Sequence, residues 1–179
     1  MTATKKDGQT TVIATYPDHD SAEGAVRRLQ KEGIPMQNLS IIGKDFQTVE
    51  RPLGFITTGS VAKEGAKVGA WTGGIFGLLV GAAFLILPGI GPVVVAGPLS
   101  AALLGGIEAA LAGAAFGGVT GALVGLGISQ DQAIRYESQV KAGKFLVTLR
   151  GDEAQIERAK SLFNNSKAET TEVVQAQAA

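Results

Sequence analysis

Asp18-His19-Asp20 places two carboxylates and the chain's single imidazole side by side, and a divalent cation is the chemistry that such a triplet suggests. Ligands adjacent in sequence seldom converge on one ion, however, and aspartates at the start of a helix cap its free amide groups, so capping is the expected role. Gly43-Lys44 and Gly143-Lys144 each match only the end of a phosphate loop, since Asp45 and Phe145 follow where a hydroxyl residue is required and the upstream glycine is missing. Gly89-Ile-Gly91 opens like a dinucleotide fingerprint, but Val94 stands at its third glycine and Pro92 interrupts the helix entry. No serine sits in a Gly-x-Ser-x-Gly elbow, and His19 has no second histidine to act with. The expectation is therefore no catalytic residue, no cofactor and no metal, in a protein that is not an enzyme. One ionisable group remains as a candidate functional charge: Glu108, alone within an otherwise uncharged stretch from Val68 to Ile128. It would line a polar path or mark a membrane boundary, because a carboxylate at mid-bilayer depth is costly.

The elements around these residues fall into two polar arms and an apolar middle. In the first arm, residues 10–44, Thr11-Val-Ile-Ala-Thr-Tyr16 is rich in β-branched residues and meets Pro17-Asp18, which predicts a strand and a turn. Asp20 with Glu23 has the spacing of a capping box, Ala22, Ala25, Val26 and Leu29 recur at helical spacing, and Gly33 is the stop. Leu39-Ser-Ile-Ile-Gly43 predicts a second strand. The last arm, residues 129–175, repeats the pattern. Ser129 with Gln132 opens a helix that buries Ala133, Tyr136 and Val140 and ends at Gly143, before a strand over Lys144–Leu149. Asp152 with Gln155 caps a second helix burying Ile156, Ala159 and Phe163, and Thr170–Val174 closes as a strand. Two strand-helix-strand arms predict an α+β fold, a ferredoxin-like domain assembled from both termini. Neither arm has apolar surface enough to stand alone. Residues 1–9 and 176–179 are expected to be flexible tails.

Between the arms, Gly65, Gly69, Gly73, Gly77 and Gly81 recur every fourth residue, and Gly105, Ala109, Gly113, Gly117, Gly121 and Gly125 do so again. Small residues four apart form a stripe along one helix face that lets backbones approach closely. Residues 60–128 are thus predicted as a glycine-zipper hydrophobic helical hairpin with its turn at Pro88, Gly89, Gly91, Pro92, Gly97 and Pro98. Val68–Leu87, as a helix, spans about 30 Å, the thickness of a bilayer core. If both arms fold as one unit, the insert crosses an even number of times. Lysines and arginines flank the spans but are missing from the turn, which predicts a membrane protein with both termini on the cytoplasmic side. The expected partners are the lipid bilayer and further copies of the chain; zero net charge and the absence of cysteine argue against nucleic acid and thiolate metal sites.

Leu39-Ser-Ile-Ile-Gly43, Leu87-Pro-Gly-Ile-Gly-Pro92, Ala96-Gly-Pro98, Gly121-Ala-Leu-Val-Gly-Leu-Gly-Ile128 and Tyr136-Glu137, in that order, resemble the bacterial general stress protein family, which includes heat-induced and low-temperature-induced members. The resemblance implies a non-enzymatic, stress-associated protein, often membrane-bound, and it supplies no catalytic residues. The leading expectation is a hairpin that inserts in a membrane and self-associates, stabilising or remodelling it. Its rival is a soluble self-assembling oligomer or particle with the hairpins forming a hydrophobic interior, and a further one is a small-ligand sensory module. Gly73→Leu and Gly117→Leu place bulk on the stripes and are expected to reduce oligomer size, measured by light scattering, under both leading readings.

Overall fold

The computed structural model describes residues 10–44, 83–87, 89–103 and 118–175. Six strands form one antiparallel sheet: β1 (Thr10–Tyr16), β2 (Leu39–Lys44), β3 (Ala83–Leu87), β4 (Gly91–Ala96), β5 (Phe145–Gly151) and β6 (Thr170–Gln175), in the order β3-β4-β2-β5-β1-β6. β5, from the last arm, lies between β1 and β2 of the first, with Val12 opposite Leu149 and Ile41 opposite Val147. The two arms therefore share a single sheet.

From Thr11 to Tyr16 every residue of β1 is buried, as is every residue of β5 from Phe145 to Leu149. Alternating burial would mean one wet face; continuous burial means that both faces are covered. On one face lie α1 (His19–Lys31) and α5 (Glu153–Asn164), which pack Ala22, Val26, Leu29, Ile156 and Phe163 onto Val12, Ala14 and Val147. The opposite face is covered by α2 (Pro98–Leu103), α3 (Gly118–Gly125) and α4 (Gln130–Lys141), which pack Leu99, Leu123, Tyr136 and Val140 onto Ile13, Ile42, Val95 and Leu146. The result is three layers, helices–sheet–helices.

The helices of the arms bury the residues that periodicity selects, and their caps show local chemistry at work. Asp152 and Gln155 form the reciprocal box, with Gln155 N–H donating to Asp152 Oδ1 at 2.8 Å. At α1 the cap is Asp18 instead of Asp20: its carboxylate accepts from Ser21 N–H at 2.8 Å, while Asp20 points into solvent within the first turn. The helix begins earlier because Asp18, directly after Pro17, is extended and its carboxylate reaches forward to the Ser21 amide. At α4, Ser129 Oγ donates to the side chain of Gln132 and makes no bond to a backbone amide.

The apolar middle departs most from expectation. Ala83–Leu87 and Gly91–Ala96, assigned by hydropathy to the end of a membrane span and its helical turn, form a β-hairpin that extends the sheet beyond β2, with Val94 opposite Gly43. Gly89 and its neighbours serve a strand reversal: Gly89 has φ +75°, a conformation that favours glycine, and Ile90 N–H donates to the Leu87 carbonyl at 3.1 Å. A short uncharged run between turn signals has no periodicity to separate helix from strand, and Val93-Val-Val95 tips it to strand because β-branched side chains fit a pleated surface. α3 begins at Gly118, whose φ of +58° breaks any continuous helix from Ala109 to Ile128. Among the described residues no helix is long and apolar enough to cross a membrane. The membrane-inserting hairpin, and with it a membrane location with both termini on the cytoplasmic side, is corrected accordingly.

Gly97, which joins β4 to α2, has φ +82°, and a Cβ there would fall 1.9 Å from the Leu39 carbonyl oxygen of β2. Gly97→Ala is expected to cost on the order of 3 kcal/mol, from left-handed strain plus displacement of a strand backbone. Gly24→Ala in α1, where a Cβ meets nothing within 4 Å, should instead stabilise by roughly 1 kcal/mol. Urea unfolding of both variants measures the contrast.

Candidate functional site

The residues singled out by sequence pattern are described only in part. Gly65, Gly69, Gly73, Gly77, Gly81, Gly105, Ala109, Gly113, Gly117, Glu108 and Pro88 lie outside the described residues. Of the stripe, Gly121 is buried in α3 and Gly125 is exposed at its end. Gly89, Gly91 and Gly97 all have positive φ, Pro92 sits in β4, and Pro98 starts α2 where its missing N–H costs nothing.

Around the start of α1, His19, Asp20 and Glu23 bring one donor atom each within 4.8 Å of one another, with His19 Nδ1 3.5 Å from Asp20 and 3.8 Å from Glu23. The imidazole packs edge-on against the Phe145 ring, with centroids 5.7 Å apart. Glu23 also accepts from Arg27 Nε at 2.7 Å, and the positive end of the helix dipole opposes a cation here. These side chains form an ion-paired surface cluster. Beside it runs a groove of about 400 Å³ between α1 and the loop after α5, bordered by Asp18, Ser21, Gly24, Arg28, Ser166 and Lys167. Arg28 Nη1 donates to the Asn165 carbonyl across it at 3.0 Å. The Asp18 carboxyl is held below its usual range, chiefly by the Ser21 amide. Tyr16, whose hydroxyl bonds Ser166 at 2.8 Å, is pushed up to about 12 by burial.

A second polar network ties the helices of the other layer together, and no spacing rule located it. Glu137 of α4 accepts from both the backbone N–H (2.8 Å) and the hydroxyl (2.6 Å) of Thr120 in the first turn of α3, and pairs with Lys141 at 2.7 Å. A carboxylate from one helix thus caps another. Burial opposes its charge, but the bonds from Lys141 and Thr120 prevail and hold the carboxyl below its usual range. Its neighbour Tyr136 donates to Glu172 of β6 at 2.7 Å, and burial, with that carboxylate, raises the phenol. The adjacent Tyr136-Glu137 pair was the only signal in the chain pointing here: the two side chains diverge from α4, one to the sheet and one to α3. Both networks hold elements in place; neither aims a nucleophile and a base at a common point.

Sheet, layers and polar networks define an α+β protein with a six-stranded antiparallel sheet. Residues 11–87, somewhat under half of the chain, match the family described as the heat-induced stress protein YflT domain, which bears out the resemblance to bacterial general stress proteins. No curated protein and no solved structure matches the chain.

Glu137→Gln is expected to lower stability by about 1 kcal/mol at pH 7, the usual worth of a helix cap. Because the folded carboxyl titrates below its unfolded value, its contribution is full above about pH 4.3 and is lost as pH falls through the folded pKa. The gap between Glu137→Gln and the parent chain should therefore close on acidification, as measured by denaturant unfolding at pH 7 and pH 3.

Proposed function

We propose that this is a non-enzymatic, stress-associated protein that works by self-assembly, with further copies of itself as its partners. The observation that carries the reading is the outermost strand of the sheet: β3 has no charged residue, lies at an edge, and leaves Ile86 85% exposed. Exposed apolar surface at a strand edge marks a place built to be covered. The match to the heat-induced stress domain, which includes β3, supports the association with stress. Both polar networks tie elements of the fold together, which suits a structural role.

Within this reading, residues 10–44 and 129–175 form one discontinuous ferredoxin-like unit. The strand order β2-β5-β1-β6, with α1 and α5 on a single face, supports that arrangement. The apolar middle supplies the contacts between copies, its glycine stripes allowing close approach of backbones. Glu108, within that middle, is then a polar contact between copies.

The protein should be recovered in the supernatant after high-speed centrifugation, as an assembly of at least twice the 18.3 kDa chain mass. Analytical ultracentrifugation at micromolar concentration reads this directly. A strict monomer, or recovery solely in a carbonate-resistant membrane pellet, would overturn the reading.

A further inference from the structure

The sheet ends on two unlike edges. On β6, Thr170 bonds Thr15 through their hydroxyls at 2.6 Å, Glu172 is engaged by Tyr136, Thr171 and Gln175 are polar, and Val174 is buried, which leaves Val173 as the strand's one exposed apolar side chain. β3 reads Ala83-Phe-Leu-Ile-Leu87, with neither charge nor proline. Leu85 and Leu87 pack toward the layer of α2, α3 and α4, so the intervening Ile86 projects from the other face, where it is exposed.

Which backbone groups of β3 point outward follows from its neighbour. Antiparallel pairs alternate between those that exchange hydrogen bonds and those that do not. Pro92, opposite Ile86, has no N–H to exchange, and the Leu87 carbonyl is turned inward to the hairpin, where it accepts from Ile90 N–H. The exchanging pairs across the hairpin are therefore Leu87 with Gly91, Leu85 with Val93 and Ala83 with Val95. The N–H and C=O of Phe84 and Ile86 point away from β4, and among the described residues nothing meets them.

We propose that a second copy of this chain pairs with β3 along this edge, antiparallel and about a two-fold axis at Leu85, so that two sheets join into one. This deepens the self-assembly reading above, on which it rests, by naming the surface. A second copy is the occupant because the strand is complementary to itself. With the axis at Leu85, Phe84 of each copy stands opposite Ile86 of the other, and the outward N–H and C=O groups of both residues are satisfied in both copies. Leu85 faces Leu85 as a pair without hydrogen bonds, and no charge meets its like. The polar β6 edge does not offer the same template, so association at β3 closes with two copies instead of running on as a fibre.

The chain has no cysteine, which leaves single-cysteine variants free of background. Ile86→Pro removes one outward N–H while sparing the ladder to β4 and the core, since proline is tolerated on the open side of an edge strand. It is expected to halve the sedimenting mass with an unchanged circular dichroism spectrum. Leu85→Cys should form a disulfide-linked dimer on mild oxidation, because pairs without hydrogen bonds bring their Cα atoms to about 4.5 Å, within disulfide reach. Val173→Cys on β6 is the control. An unchanged mass for Ile86→Pro, or no cross-linking of Leu85→Cys above the control, overturns the β3 surface; if the proline variant loses its fold, the cross-link decides. When the parent chain remains an assembly under such a result, self-assembly stands and uses another surface. A parent chain that is monomeric removes both.

Discussion

Burial of β5 between β1 and β2 is the constraint on which the remaining structure depends. A strand from the last arm becomes central to a sheet whose other central strands come from the first, so neither arm has a complete core without the other. Three adjacent strands buried on both faces then require two helical layers. α1 and α5 supply one directly, because each follows its own strand within an arm. The second layer has to come from elsewhere, and the chain draws it from α4 and from the end of the apolar middle.

That demand gives the middle of the chain a role that hydropathy does not suggest. An uncharged run suits lipid, but it equally suits a buried strand flanked by buried helices. β4 is used in this way: Val93, Val94, Val95 and Ala96 are all buried, with Val93 and Val95 on one face and Ala96 on the other. Gly97 then allows the chain to turn against the β2 backbone and start α2 at Pro98. The Leu99 amide, at that helix start, finds the Ser40 hydroxyl of β2 at 3.1 Å, so even a buried helix beginning has its donor satisfied. Glu137 does the equivalent service for α3. The polar groups of this layer are few, and Ser40, Glu137 and Tyr136 each bind one element to another.

Much of the arms was legible in the sequence. The inward residues of α1, α4 and α5 follow from 3.6-residue spacing, and the strands from β-branched runs bounded by turn residues. The cap of α1 was misplaced by two positions because Asp18 and Asp20 both have the right chemistry, and only the path of the backbone after Pro17 selects between them. The candidate site was much less legible. Glu137 and Thr120 are 17 positions apart and Tyr136 and Glu172 are 36 apart, separations over which no local pattern carries information. Glu108 and most of the glycine stripe lie outside the described residues.

The sequence by itself determined the element types of both arms, the Asp152–Gln155 capping box and the glycine stops at Gly33 and Gly143, because those depend on side chains within a few positions of one another. Tertiary structure decided that Ala83–Ala96 is a hairpin of strands, that the helices divide between two faces, and that β3 is left as an apolar edge. A run of Leu, Ile, Val and Phe is compatible with lipid, a buried helix or a buried strand. The choice falls to whichever surface is available to pack against, and here that surface is the open side of β2.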